Sequence, residues 1–199
     1  VRGAAVVHGA AVISDHAWVF GNAQIFGEAE VGGHAWVFGE AVVREAAVVR
    51  GAAVISDHAQ VFGHAQIFGE AEVGGHAWVF GEAVVFCGAQ IMDHAQIMNH
   101  AQVFGHAEVF DHVWVFGHAQ IFGHARVFGH AQVFGHARVY DYAQIFGEAV
   151  VREAAVVHGA AVISDHAWVF GNAQIFGEAE IFGRTQVYGT TKLQGEIIK

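Results

Sequence analysis

Sixteen histidines in 199 residues are the first chemistry this sequence offers. Imidazole titrates near neutrality and is the commonest metal ligand among side chains. Fourteen of the sixteen, from His16 to His166, are separated only by multiples of six; His8 and His158 fall off that grid. At a step of 18, one series runs His58, His76, His94, His112, His130, and another runs His100, His118, His136. If that step stacks side chains on successive rungs about 5 Å apart, neighbouring rings of the first series could share a divalent cation. Alternatively, they could form a surface whose charge follows pH. The simpler reading is a polar turn residue, because Asn22, Asn172 and several Glu occupy equivalent places. Structural zinc takes four convergent ligands, and neither such a set nor a supporting carboxylate is legible along the chain.

Nucleophilic catalysis finds little to work with. Ser14, Ser56 and Ser164 each precede an aspartate (Asp15, Asp57, Asp165) in a turn-like context, and Cys87 is alone. General acid–base chemistry needs a distinguished, preorganised constellation, whereas here dozens of equivalent positions compete for each role. A lone cysteine also rules out an internal disulfide and leaves the redox compartment open.

Composition narrows the classes further. The formal charge is −10, becoming −10 + 16 = +6 with every histidine protonated. Nine basic residues form no stripe, which argues against a nucleic-acid binder. Acidic residues are too thinly spread to favour a DNA mimic. A hydrophobic fraction of 54% with mean hydropathy +0.38 is high, yet every apolar run is broken well short of the roughly 20 residues a spanning helix needs. The start, Val1-Arg2-Gly3, lacks an initiator Met and the layout of a signal peptide, as a processed end or a fragment would. Proline is absent.

The elements that must carry these residues follow from one period. From Val1, every sixth residue through Leu193 is Val, Ile or Leu, thirty-three in all, without one insertion or deletion. The fifth position of each hexad is Ala in twenty-nine cases, the exceptions being Val113, Thr185, Thr191 and Ile197. Side chains alternate along a strand, so the fifth position and the next first position face inward together, and the second, fourth and sixth face outward. The third position, Gly in twenty-three hexads and mostly Asp or Glu otherwise, takes a corner where positive φ is needed. A helix fails on both counts: a six-residue period does not track 3.6 residues per turn, and Gly at every sixth place costs about 1 kcal/mol each relative to Ala.

Runs such as Val-Phe-Gly-His-Ala-Gln and Ile-Phe-Gly-Glu-Ala-Glu resemble the hexapeptide-repeat, left-handed parallel β-helix proteins. They are most similar to bacterial repeats of the type Val-Tyr-Gly-Asn-Ala-x, labelled as transferases. The resemblance covers nearly the whole chain. It implies an all-β, single-stranded parallel solenoid of triangular cross-section, three hexads to a coil, hence 11 coils of 18 residues and a rod on the order of 50 Å long. The left hand is carried by the resemblance alone, since the usual crossover rule favours the other. It also implies enzymes to consider, trimeric acyltransferases and zinc carbonic anhydrases. The former use loops protruding between coils, absent here. The latter need two His five residues apart, whereas His8 and His16, like His158 and His166, are eight apart.

Residues 1–183 read as uninterrupted repeat and 184–199 as a divergent C-terminal coil or cap, polar in Arg184-Thr185-Gln186 and Thr190-Thr191-Lys192, as repeat arrays require. No equivalent appears at the start, so the first coil is expected to stack on something. The stretch from Val1 to Glu30 recurs at Val43 to Glu72 and at Val151 to Glu180, offsets of 7 and 25 hexads. Neither is a multiple of three, so each copy is expected to begin on a different face, which argues mildly against one site per copy.

All seventeen Phe lie at the second position, in rows with no room inside the prism. One reads Phe68, Phe86, Phe104, Phe122, Tyr140; another reads Phe62, Phe80, Met98, Phe116, Phe134. Such rows make an apolar patch larger than a monomer usually exposes, and point to a self-association surface. Stacking within each row is the competing use for them. Trp18, Trp36, Trp78, Trp114 and Trp168 sit mid-strand and outward, as anchors for a partner or sugar rings, or simply as cover for a flat face; Trp78 and Trp114 join the Phe rows as candidate interface. The expectation is a structural or interaction rod without catalytic residues or cofactor. Its partner is itself, in a homo-oligomer or a lateral or end-to-end assembly, with no nucleic acid and no membrane span. An acyltransferase-like enzyme with an inter-subunit site and a His58–His130 metal surface are the alternatives. Ice binding would want Thr ladders, and Thr occurs only at Thr185, Thr190 and Thr191.

Overall fold

Val and Ile, stiff at χ1 and at home on a pleated surface, mark where the chain is extended. The computed structural model describes residues 1–199 and contains thirty-three short strands, β1 (Val6–Val7) to β33 (Ile197–Ile198), and no helix. No helix is therefore long and apolar enough to cross a membrane. Every third strand joins one parallel sheet, giving three sheets of eleven strands. Gln60 pairs with Trp78 and Val61 with Val79, one coil of 18 residues apart, and this register holds through nearly the whole rod. The result is a β-solenoid of about 11 coils with three flat faces. We call them first, second and third after the sheets that contain β1, β2 (Val12–Ile13) and β3 (Trp18–Val19).

The expected inward rows are the core. From Val19 to Ile181, every fifth- and first-position side chain is exposed by 1% or less, in one apolar cluster running the length of the rod. Between coils, the N–H groups of the even positions donate to carbonyls of the odd positions one coil on, as in Gln96 to Val113 (2.8 Å) and His100 to Gly117 (3.0 Å).

All thirty-three corner residues have positive φ, between 56° and 77°. At Gly105 a Cβ would stand 2.9 Å from the Gly123 nitrogen and 3.0 Å from its oxygen, so the corner is crowded as well as left-handed. Eight of the ten non-glycine corners carry a carboxylate that repays this strain. Asp111 accepts from Gly129 N–H at 3.0 Å, and Asp15, Glu45, Asp57, Asp93, Asp141, Glu153 and Asp165 each accept from the N–H 18 residues on. The corner N–H has no backbone partner in the coil ladder, so an acidic residue here satisfies an otherwise unpaired donor. At Asp15 the Gly33 N–H is the main cause that holds the carboxyl below its ordinary range. Partial desolvation opposes it, and Ser14, His16 and Arg50 add smaller contributions. This contribution to stability is present above the unfolded pKa and lost as pH falls through the folded one.

Two expectations need correction. The repeated stretches do not each begin on a different face: Val43 and Val151 both lie in the first sheet, because they are 108 residues, six whole coils, apart. At the C-terminus the last coil is one residue short. Ile181 pairs with Ile198, 17 residues on, so Ile198 takes the interior row that strict counting gives to Lys199. Thr185 and Thr191, in the Ala row, donate their hydroxyls to the carbonyls of Phe182 (2.8 Å) and Tyr188 (2.7 Å), which is how polar side chains fit that row.

Ala101, wholly buried, is expected to tolerate no enlargement. Ala101→Leu should lower stability by about 1–3 kcal/mol through overpacking, seen as a reduced midpoint in thermal unfolding. Asp111→Ala keeps the left-handed corner and removes its acceptor, and should cost about 1 kcal/mol. Asp111→Gly removes strain and acceptor together and should unfold close to wild type in the same assay.

Candidate binding face

Alternation puts three outward rows on each face: the fourth position at one edge, the sixth along the middle, and the second at the other edge. On the first face, five consecutive coils combine residues that the sequence reading treated separately. One edge is His58, His76, His94, His112, His130; the other is Phe62, Phe80, Met98, Phe116, Phe134; between them lie Gln60, Trp78, Gln96, Trp114, Gln132. No residue of these three rows carries a fixed charge. The coils at either end do, and with the same residues: Glu40, Val42 and Arg44 before, Glu148, Val150 and Arg152 after. The six-coil recurrence that relates Val43 to Val151 extends back through these residues to Gly39 and Gly147.

The histidine edge is a face-to-face stack. Ring centroids are 4.6 Å apart for His58 and His76, 5.1 Å for His76 and His94, 4.7 Å for His94 and His112, and 4.9 Å for His112 and His130, with planes within 23°. Glu40 lies 3.3 Å from His58 Nδ1, and Glu148 lies 3.2 Å from Nε2 of His166, the histidine beyond it. Imidazole lone pairs lie in the ring plane, so parallel stacked rings aim them side by side rather than at one point. No three His, Cys, Asp or Glu side chains form a group that could hold a metal. To chelate a cation, these rings would have to leave the stack.

The Phe edge stacks likewise, Phe62 on Phe80 at 4.9 Å and 4°, and Phe116 on Phe134 at 4.6 Å and 6°. Trp78 stands at 72° to Phe62. Two adjoining hollows of about 360 and 390 Å³, sharing His94 and Gln96, are lined by the histidine and Gln/Trp rows. They make one shallow furrow along the face. Arg44 closes the Phe row at one end, its guanidinium 4.2 Å from the Phe62 ring centre.

The second face carries the longest aromatic run. Phe68, Phe86, Phe104, Phe122 and Tyr140 stack at 4.7–5.1 Å, and the run continues through His158 (4.8 Å) to Phe176 (5.4 Å). His158, off the histidine grid, is thus an aromatic rung. The middle row here is broken by Val84 and by Arg138, which lies 5.5 Å over both Phe122 and Tyr140. All the aromatic rings lie outside the prism, as expected, but stacking leaves the Phe only partly exposed, with Phe68 at 38% the most open. The tryptophans are more open, at 40–49%, and Tyr142 more so, at 65%.

The sequence reading missed the alternating Gln row and the matching charged coils, although both are legible. Each of the five Trp stands in His-Ala-Trp-Val-Phe or, at Trp114, His-Val-Trp-Val-Phe. With alternation this is one complete outward rung, edge to edge. No family model and no curated protein matches the chain.

Titration calorimetry with zinc at neutral pH is expected to show no tight, saturable site. A heat of binding that disappears in His94→Ala/His112→Ala would show that the rings do leave the stack to chelate.

Proposed function

We propose that this protein is a non-catalytic structural rod that self-associates side by side through its outer aromatic rows. The observation that carries the reading is the seven-ring stack from Phe68 to Phe176, a continuous apolar edge along one corner of a rigid prism. Each ring keeps part of its surface open to solvent. A second rod has the same coil spacing, so its rows meet these in phase along their whole length, and every coil adds an equal increment of buried aromatic area. Commensurate repetition of this kind favours assembly over a single localised site. The hexapeptide-repeat resemblance brings an acyltransferase alternative, with a site between subunits, but no residue set here stands apart from its repeats to support it.

With 19 acidic residues against nine basic, rods repel one another at low ionic strength, and salt should strengthen lateral association by screening. Light scattering is expected to give a mass above one chain, rising with salt. Phe104→Ser/Phe122→Ser should return it to one chain with the β-sheet circular dichroism unchanged. A wild-type protein that stays monomeric at high concentration and in salt would eliminate the proposal.

A further inference from the structure

We propose that the first face, between the coils of Glu40 and Glu148, binds one extended chain of a neutral β-1,4-linked polysaccharide along the rod axis. The inference goes beyond self-association and uses different residues.

Three features of this face select the ligand. The first is the absence of any cation. Across five coils the three outward rows hold His, Gln, Trp, Phe and Met, and the only fixed charges beside them are the corner carboxylates Asp57, Asp93 and Asp111, each accepting from an N–H one coil on. That excludes nucleic acid and acidic polymers as matching partners, since both need Lys or Arg. The second is hydrogen-bond character. A glutamine amide and a neutral imidazole each both donate and accept, as does every sugar hydroxyl. Gln60, Gln96 and Gln132 lie in the same furrow as the histidine edge. The third is spacing. Trp78 and Trp114 both pair with Gln96, so the indoles recur every two coils, about 10 Å. This is close to the disaccharide repeat of an extended β-1,4-linked glycan, in which every second sugar presents the same face. The pyranose C–H face is apolar and packs on an aromatic ring, and Trp78 and Trp114 both line the furrow while 40% and 46% exposed.

An extended peptide fits less well. Its side chains repeat every two residues, about 6.7 Å, out of step with both one coil and two. The solenoid also offers it no free backbone, because the first sheet is paired strand to strand along its length. Trp168 lies beyond the Glu148 coil and three coils from Trp114, off this beat. The face is about 24 Å long, enough for two disaccharide units.

The test uses the full chain with microcrystalline cellulose and chitin in depletion assays, and with their soluble hexasaccharides followed by tryptophan fluorescence. Wild type is expected to bind at least one of the two polymers, with affinity unchanged by added salt. Trp78→Ala/Trp114→Ala should weaken binding tenfold or more. Gln96→Trp/Trp114→Gln keeps two indoles on the face but sets them one coil apart, and should weaken it similarly; circular dichroism confirms that each variant keeps its sheets. Phe104→Ser/Phe122→Ser, on the second face, should bind as wild type even where assembly is lost, which separates failure of this inference from failure of the assembly reading. Absence of wild-type binding to both polymers, or full binding by the variant with shifted indoles, overturns the proposal. So does a fall in particle mass in the Trp variants without change in glycan binding, which would assign the face to a second copy of the chain.

Discussion

Everything in this rod depends on a narrow prism that admits only small interior side chains. Ala and Val or Ile fill it completely, with exposures of 1% or less from Val19 to Ile181, and close packing leaves no tolerance for rings. Bulk that cannot enter must be carried outside, and since every coil has the same length, outside bulk aligns. Aromatic and imidazole stacks at 4.6–5.5 Å are thus consequences of the backbone repeat. Stacking then lowers the exposure of each ring, which is why phenylalanine rows that look like a large apolar liability in sequence are only partly open in the folded chain.

The corner is the second consequence. A chain that turns every six residues must enter the left-handed region at each turn, a conformation that disfavours side chains, and glycine meets that requirement at most corners. Acidic residues meet it at eight others because their carboxylate reaches the one N–H that the coil-to-coil ladder leaves unpaired. Local strain and an interchain-like hydrogen bond are exchanged at the same residue. This gives a physical reason for the choice between Gly and Asp or Glu that propensity alone does not provide.

Repetition also shapes what the surface can do. A solenoid multiplies any outward residue into a row, so a function built on it is distributed and commensurate with the coil. Chemistry that needs one preorganised constellation has to break the pattern, and this chain seldom does. Its departures are of another kind: on the first face, charged rungs at Glu40 and Glu148 bound five whose outward rows hold no charged residue, and tryptophans return every second coil between them. Such a face suits long repetitive partners better than small substrates. The second face, with Val84 and Arg138 in its middle row, has no comparable uninterrupted span.

The sequence by itself determined the six-residue step, the inward rows and the outward placement of every ring, because strand alternation along an uninterrupted period leaves one arrangement that buries the aliphatics; three hexads to a coil, and so three faces, came with the family resemblance and are decided by the 18-residue pairing of the sheets. It contained the rungs as well, in the recurrent His-x-Trp-Val-Phe segments, but which rungs adjoin depends on counting by coils, and the glutamine row was overlooked for that reason. Only the tertiary structure decided how the rings stand against one another. Imidazoles stacked face to face have parallel lone pairs, His158 extends the aromatic run beyond Tyr140, and the last coil shortens by a residue so that Ile198, not Lys199, pairs with Ile181. These outcomes turn on contacts between residues 17 or 18 apart, where side-chain rotation and local strand pairing, rather than the period, settle the result.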